Sequence, residues 1–104
     1  MSRIVIAVYK PKPGKVEQLA ALVARHWSAL RAESLVTDRA PVVMRAKDGT
    51  FIEVFEWRSP VAIEAAHHNP VVQKLWGEFA EACDFVPIAQ VAEASEMFSE
   101  FAAA

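Results

Sequence analysis

The chain has 104 residues, 54% of them hydrophobic, and a formal net charge of −2 at pH 7, which fits one globular domain with one core. Lysine and arginine are spread along the chain, so no basic patch for nucleic acid is expected, and no apolar run is long enough to span a bilayer. The single cysteine, Cys83, excludes an internal disulfide, and no cysteine or histidine spacing resembles a zinc site. The N-terminus lacks a signal-peptide pattern, so a cytoplasmic location is expected.

The first third of the chain predicts a strand followed by a helix. Residues 3–9 (RIVIAVY) alternate apolar side chains on both faces, which is typical of a strand that is buried on both sides. Residues 10–14 contain two prolines, which lack the backbone donor of a sheet ladder, and predict a loop. From Lys15 to about Ala32 apolar residues recur at helical spacing, with His26 at the margin of the predicted buried stripe Val16, Leu19, Ala20, Val23, Trp27 and Leu30.

A hairpin is predicted in the middle of the chain, where Pro41 to Lys47 and Thr50 to Trp57 flank Asp48-Gly49. If those two residues form the turn, Lys47 pairs with Thr50 and Met44 pairs with Glu53. One face of the hairpin then carries a set that is apolar except for one acid: Val42, Met44, Ala46, Phe51, Glu53, Phe55 and Trp57.

Two further helices and a last strand are predicted in the second half. Ser59-Pro60 and Asn69-Pro70 each combine an N-cap residue with proline at the first helical position. The first helix runs to about His68, and the second is longer, with the apolar stripe Val72, Leu75, Trp76, Phe79 and Cys83. Residues 85–91 predict a fourth strand with Pro87 at an edge or bulge. The weakly amphipathic tail, residues 92–104, is expected to pack on a partner subunit.

The order of elements is β-α-β-β-α-β, which predicts a single α+β domain of ferredoxin-like type with an antiparallel sheet and helices on one face. The open face of such a sheet is usually polar, yet strand 1 and the hairpin are apolar on both sides. Leaving these side chains in water would forfeit roughly 1.5–3 kcal/mol each. A homodimer in which two sheets pack face to face is therefore expected.

Glu53 is the first candidate for chemistry, because it is the single acid on its predicted strand face. Desolvation favours the protonated form of a carboxyl group, so Glu53 could act as a base near neutral pH. The alternative is a structural carboxylate at a pocket rim or interface, paired with an arginine such as Arg3 or Arg45.

Aromatic side chains supply the candidate binding residues. Trp57 ends the strand face of Glu53 beside a helix start, where a pocket mouth is favoured, and it could stack on a planar ligand or belong to the core. The same two interpretations apply to Phe55 and to Trp27 and Trp76 on the helices. Tyr9, at the end of strand 1, could donate a hydrogen bond to a ligand or fill the dimer interface.

His67 and His68 lie at the junction of the last two helices. Adjacent helical residues point about 100° apart, so the two histidines are poorly placed to bind one metal ion. One of them could reach a pocket as a proton-transfer group, and the alternative is a solvated or capping histidine.

The segment EVFEWRSPVAI, residues 53–63, together with the order of elements, resembles the antibiotic-biosynthesis-monooxygenase superfamily of dimeric α+β barrels. The resemblance runs from strand 1 to strand 4. Its most specific part is the tryptophan of strand 3 followed by a small polar residue and an Ala-Ile helix start. It implies a pocket within each subunit, between sheet and helices. Members of the superfamily oxidise polyphenols without metal or flavin, degrade haem, isomerise small molecules or have no known role.

The resemblance places Trp57 where the cofactor-free oxygenases and the haem-degrading branch have a pocket tryptophan. Glu53 stands where the quinone-forming members have asparagine. The haem-degrading branch needs an asparagine and a histidine where this chain has Val8 and Trp76, so no haem, other cofactor or metal is expected.

The resemblance thus implies a cofactor-independent monooxygenase that acts on a small, planar, hydrophobic, polyphenol-like compound. Glu53 would take the proton, Trp57 would position the ring, and His67 or His68 would assist. The alternatives are a non-catalytic dimeric barrel that binds small molecules or serves in a stress response, and a structural module of a larger assembly.

Overall fold

Five antiparallel strands and three helices form the domain, and the computed structural model describes all 104 residues. The strands are β1 (Arg3–Pro11), β2 (Val42–Arg45), β3 (Phe51–Trp57), β4 (Cys83–Phe85) and β5 (Ala102–Ala103), and the helices are α1 (Val16–Ala32), α2 (Pro60–His67) and α3 (Pro70–Ala82). The sheet has the order β4-β1-β3-β2-β5. The predicted ferredoxin-like α+β fold is confirmed, and none of its helices has the length and apolar character needed to cross a membrane.

Side-chain caps begin the two later helices where the sequence predicted them. The Ser59 hydroxyl accepts a hydrogen bond from the backbone N–H of Ala62 at 3.1 Å. Asn69 Oδ1 accepts bonds from the N–H groups of Val71 and Val72. Each cap satisfies donors that have no partner within the helix.

The predicted two-residue turn of the hairpin is wrong. The Gly49 N–H bonds to the carbonyl oxygen of Ala46 at 3.0 Å, and the Ala46 N–H bonds to the carbonyl oxygen of Thr50 at 2.9 Å. The loop therefore comprises residues 47–49, with Gly49 at φ 95°, a conformation that glycine adopts without steric strain. Three-residue hairpin loops of this kind add one residue to one strand.

The longer loop shifts the register of β2 by one residue. Val43 lies opposite Glu53, and Met44 lies opposite Ile52, where the prediction paired Met44 with Glu53. Since side chains alternate between faces, the shift moves Val42 and Met44 to the face opposite that of Glu53. The helix-covered face of β2 carries Val43 and Arg45 instead.

The fourth strand is shorter than residues 85–91 and begins earlier, at Cys83. Beyond it the Val86 N–H still bonds to the carbonyl oxygen of Val8 at 3.2 Å, but Pro87 has no N–H to continue the ladder. A 3₁₀ turn follows at Ile88–Gln90. Because β4 pairs only with residues 9–11 of β1, the first half of β1 has no strand beside it on that edge.

Different parts of the chain cover the two faces of the sheet. On one face the helices bury two hydrophobic clusters. The first includes Leu19, Phe51 and Phe79, and the second includes Leu30, Phe55 and Val72. On the other face the C-terminal segment folds back, and Val91 and Phe101 pack against a cluster with Val8 and Ile52. That segment covers only one end of the face. The prediction that the tail also contacts a partner subunit stays a prediction.

Candidate functional site

Four side chains form one hydrogen-bonded chain between the sheet and the helices. The Tyr9 hydroxyl donates to Glu53 Oε1 at 2.7 Å, and His26 Nδ1 lies 2.7 Å from the same oxygen. The Trp76 indole N–H donates to His26 Nε2 at 3.0 Å. Tyr9, His26 and Glu53 are all buried, so the network lies within the domain, away from bulk water.

Three different elements bring these side chains together. Tyr9 and Glu53 lie on neighbouring strands and on the same face, since Tyr9 pairs with Phe51 and Ala7 pairs with Glu53. His26 comes from the buried stripe of α1 and Trp76 comes from α3. The network therefore depends on how both helices lie across the sheet.

The hydrogen bonds define the tautomer of His26. An indole N–H is only a donor, so His26 Nε2 must be the acceptor and carries no proton. The proton of the neutral ring then lies on Nδ1 and is donated to Glu53. Glu53 Oε1 accepts both bonds, and Oε2 is buried with no hydrogen-bond partner.

Tyr9 stays a hydrogen-bond donor in this environment. Burial raises the pKa of its hydroxyl far above the ordinary value, and the charge of Glu53 and the hydrogen bond to it raise the pKa further. Tyr9 thus fixes the carboxylate from the strand side while His26 approaches from the helix side.

A cavity of about 380 Å³ lies against this network. It is lined by aromatic and small apolar side chains together with the imidazole: Val5, Ala7, Tyr9, His26, Phe55, Trp57, Trp76 and Phe85. No charged side chain lines it. Phe85 is 55% exposed, so the cavity reaches solvent at that side. These features suit a small, planar, uncharged compound.

The aromatic rings of the lining meet at steep angles. The Trp57 and Trp76 rings lie 6.3 Å apart at 86°, and the His26 and Phe55 rings lie 5.4 Å apart at 86°. Such edge-to-face contacts hold the rings in defined orientations, which gives the cavity a fixed shape.

Four of the five predicted binding residues line this cavity: Tyr9, Phe55, Trp57 and Trp76. Trp27 does not line it, and packs half-buried against the cluster of Leu30. Glu53 lies behind Tyr9 and His26 and contributes no surface to the cavity. The alternative pairing of Glu53 with Arg3 or Arg45 does not occur, since the partners of Glu53 are Tyr9 and His26.

The two histidines predicted for proton transfer lie outside the cavity. His68 is exposed, and its Nε2 lies 3.1 Å from Glu64 Oε1 on the same helix turn. His67 is also exposed, and its ring packs 5.3 Å from the ring of Trp76.

His26 is the histidine of the site, and its predicted position at the margin of α1 is wrong. Only 3% of His26 is exposed, whereas Trp27 is half-buried. The buried residues of α1 are Leu19, Leu22, Val23, His26 and Leu30, which follow regular helical spacing. That spacing was the available signal, and it was missed because a histidine was not counted as a buried residue. No cluster of three or more potential metal-ligating side chains occurs in the domain.

The likeness of the chain to known proteins is one of fold. The structure of Rv0793 from Mycobacterium tuberculosis matches with a TM-score of 0.65 and 23% sequence identity, over 84% of this chain and 87% of that one. No protein-family model and no curated protein matches the chain. At this identity the match supports the ferredoxin-like α+β class.

Proposed function

We propose that the chain is an enzyme that removes a proton from a small, planar, hydroxylated aromatic compound and promotes its reaction with dioxygen. This is the chemistry of a cofactor-independent monooxygenase of the antibiotic-biosynthesis-monooxygenase type. The observation that carries the proposal is the buried His26–Glu53 hydrogen bond of 2.7 Å, which places an oriented imidazole on the wall of an apolar cavity.

In the proposed reaction His26 Nε2 is the base. Glu53 holds the proton on Nδ1, which leaves Nε2 free of a proton, and its negative charge stabilises the imidazolium that forms. This changes the expected division of roles, because Glu53 itself has no surface in the cavity. Glu53 becomes the residue that orients the base.

The deprotonated substrate supplies the electrons for the reaction with dioxygen. One oxygen atom enters the substrate and the other leaves as water, so a naphthol becomes a naphthoquinone. The apolar lining, with Phe55 and Trp57, keeps water from the electron-rich intermediate and holds the planar ring. The absence of charged lining residues favours an uncharged substrate over a phosphate or carboxylate.

Oxygen uptake tests the proposal. The protein is incubated with a panel of naphthols and anthrone-type compounds, while dioxygen consumption and quinone absorbance are recorded. One dioxygen is expected for each quinone formed. His26→Gln should abolish the reaction, and His68→Gln, at an exposed position outside the cavity, should leave it intact. No uptake above the protein-free rate across the panel would contradict the proposal.

We also propose that a second copy of the chain covers the open face of the sheet. Ile4, Ile6 and Val42 lie on that face and are 60%, 54% and 56% exposed in one chain. Three large aliphatic side chains in one patch are an unusual surface for a monomer. The C-terminal segment covers the neighbouring end of the face and leaves this patch free.

A non-catalytic barrel that binds small molecules is the second candidate. It is favoured by the bond from Trp76, which already occupies the one lone pair that His26 could use as a base. Saturable binding of naphthols without oxygen uptake would identify this function.

A further inference from the structure

The hydrogen bond between Trp76 and His26 occupies the one ring nitrogen of the site that could accept a proton. His26 Nδ1 is engaged by Glu53, so Nε2 is the atom that a ligand can reach. That atom accepts the indole N–H of Trp76 at 3.0 Å. Both residues line the cavity, so this hydrogen-bonded nitrogen lies at the cavity wall.

This bond and a protonated Nε2 exclude each other. If His26 takes a proton at Nε2, the ring presents an N–H to the indole N–H of Trp76, and two donors then face each other without an acceptor. Any ligand that gives a proton or a hydrogen bond to Nε2 must therefore move the indole away first.

The surroundings of Trp76 permit that movement. Unlike His26, Trp76 is only half-buried, so part of the residue is accessible to solvent. The rings that flank it are Trp57 at 6.3 Å and the exposed His67 at 5.3 Å. The only hydrogen bond that the indole makes is the one to His26, so its release breaks a single bond, and a ligand donor can take the place of the indole N–H at Nε2.

We propose that Trp76 is the gate of the cavity, and that its indole N–H competes with a ligand donor for His26 Nε2. A ligand opens the gate by offering Nε2 a hydrogen-bond donor of its own in place of the indole N–H. Nε2 then favours planar compounds with a hydroxyl group over equally shaped compounds without one, and the competing indole N–H reduces that preference. This inference rests on the proposed function for the identity of the site, but binding alone tests it.

The test uses two ligands with the same ring system, 2-naphthol and its methyl ether 2-methoxynaphthalene. Of the two, only 2-naphthol carries a hydrogen-bond donor. In a ¹H–¹⁵N spectrum of the wild-type protein, 2-naphthol should shift the indole N–H signal of Trp76, which the Trp76→Phe variant identifies. The ether should leave that signal in place. The free protein should show an unprotonated Nε2 on His26.

Affinities measured by calorimetry are the second measurement of this test. Trp76→Phe removes the competing donor but keeps an aromatic ring, so the ratio of the affinity for 2-naphthol to that for the ether should rise about three- to tenfold, the range set by one hydrogen bond. Because the two ligands share one ring system, the ratio removes the effect of a changed cavity shape on both affinities. Trp27→Phe, outside the cavity, should keep the wild-type ratio.

The outcomes separate the gate from the reaction. Displacement of the indole by 2-naphthol, with no oxygen uptake for any compound of the naphthol and anthrone panel, would keep the gate and overturn the proposed monooxygenase function. An unmoved indole signal during 2-naphthol binding, an equal shift with the ether, or an unchanged ratio in Trp76→Phe would overturn the gate. Failure of both compounds to bind either form would overturn it as well.

Discussion

His26 and Glu53 share a 2.7 Å hydrogen bond that joins the helix layer to the sheet, and 3% and 0% of their side chains are exposed. The bond uses only one of the two carboxylate oxygens. Oε1 also accepts the Tyr9 hydroxyl, whereas Oε2 is buried without a partner. The carboxylate is therefore held through one oxygen only, and both of its donors bond to that single atom.

Glu53→Gln should destabilise the domain. The amide oxygen can still accept from Tyr9 and His26, but both bonds lose the assistance of a charge, and the new NH₂ group lies where no partner exists. Hydrogen bonds to charged groups contribute about 1.5–3 kcal/mol, so a loss of roughly that size in the free energy of unfolding is expected in urea titrations.

Glu64→Gln is the matched control for that measurement. Glu64 pairs with His68 at the surface, where ion pairs contribute about 0–1 kcal/mol. Unchanged or improved stability in Glu53→Gln would show that desolvation of the bare oxygen outweighs the two bonds.

Glu56 should make the domain sensitive to acid. Hydrogen bonds from Ser2, Thr37 and Arg39 lower the pKa of its carboxyl from 4.5 to about 2. Because the folded-state pKa lies below the unfolded one, the stabilisation is fully present above about pH 4.5 and is lost as the pH falls towards 2. Unfolding free energies measured between pH 6 and pH 2.5 should show this slope.

Glu56→Gln should flatten that slope, and Ser2→Ala should reduce it, because Ser2 makes the largest contribution to the lowered pKa. Glu64→Gln should leave it unchanged. An equal slope in wild type and Glu56→Gln would assign the acid sensitivity to other carboxyl groups.

The sequence was sufficient for the order of elements because local signals set it. Ser59 and Asn69 cap their helices as predicted, and Asp48-Gly49 lies in a hairpin loop as predicted. The length of that loop was not determined locally, since the same dipeptide serves loops of two and three residues. One residue of difference exchanged the faces of Val42 and Val43.

The partners of Glu53 were beyond the reach of the sequence for a different reason. His26 is 27 positions away, and its approach depends on how α1 crosses the sheet, which no local pattern reports. Strand alternation did place Trp57 and Phe55 on the face that lines the cavity. The aromatic lining was therefore predictable, and helical spacing indicated the burial of His26, whereas the contact of His26 with Glu53 was not predictable.

Ile6→Arg should convert a dimer into a monomer if two sheets pack together. Ile6 is 54% exposed in one chain, so the substitution should cost little within the monomer, but it would bury a charge in the centre of the proposed interface. Val61→Arg, at a position on α2 that is 77% exposed, is the matched control and should stay dimeric. Sedimentation velocity at micromolar concentration measures both, and a monomeric wild type would contradict the dimer.

The last prediction concerns the shared oxygen of Glu53. Tyr9→Phe removes one of its two donors and should lower the free energy of unfolding by about 1.5–3 kcal/mol, because the hydroxyl donates to a charged group in a buried place. Combined with Glu53→Gln the losses should not add, since the second change acts on a bond that the first has already removed. A coupling energy of about 0.5–3 kcal/mol is expected for such a pair.

The same cycle with Glu64→Gln in place of Glu53→Gln should give no coupling, since Glu64 shares no partner with Tyr9. Additive losses for the Tyr9 and Glu53 changes would mean that the carboxylate is held by His26 alone. Tyr9 would then be one more aromatic side chain of the cavity wall. Coupling would instead show that the strand-side donor helps to fix Oε1, the same atom that accepts from His26.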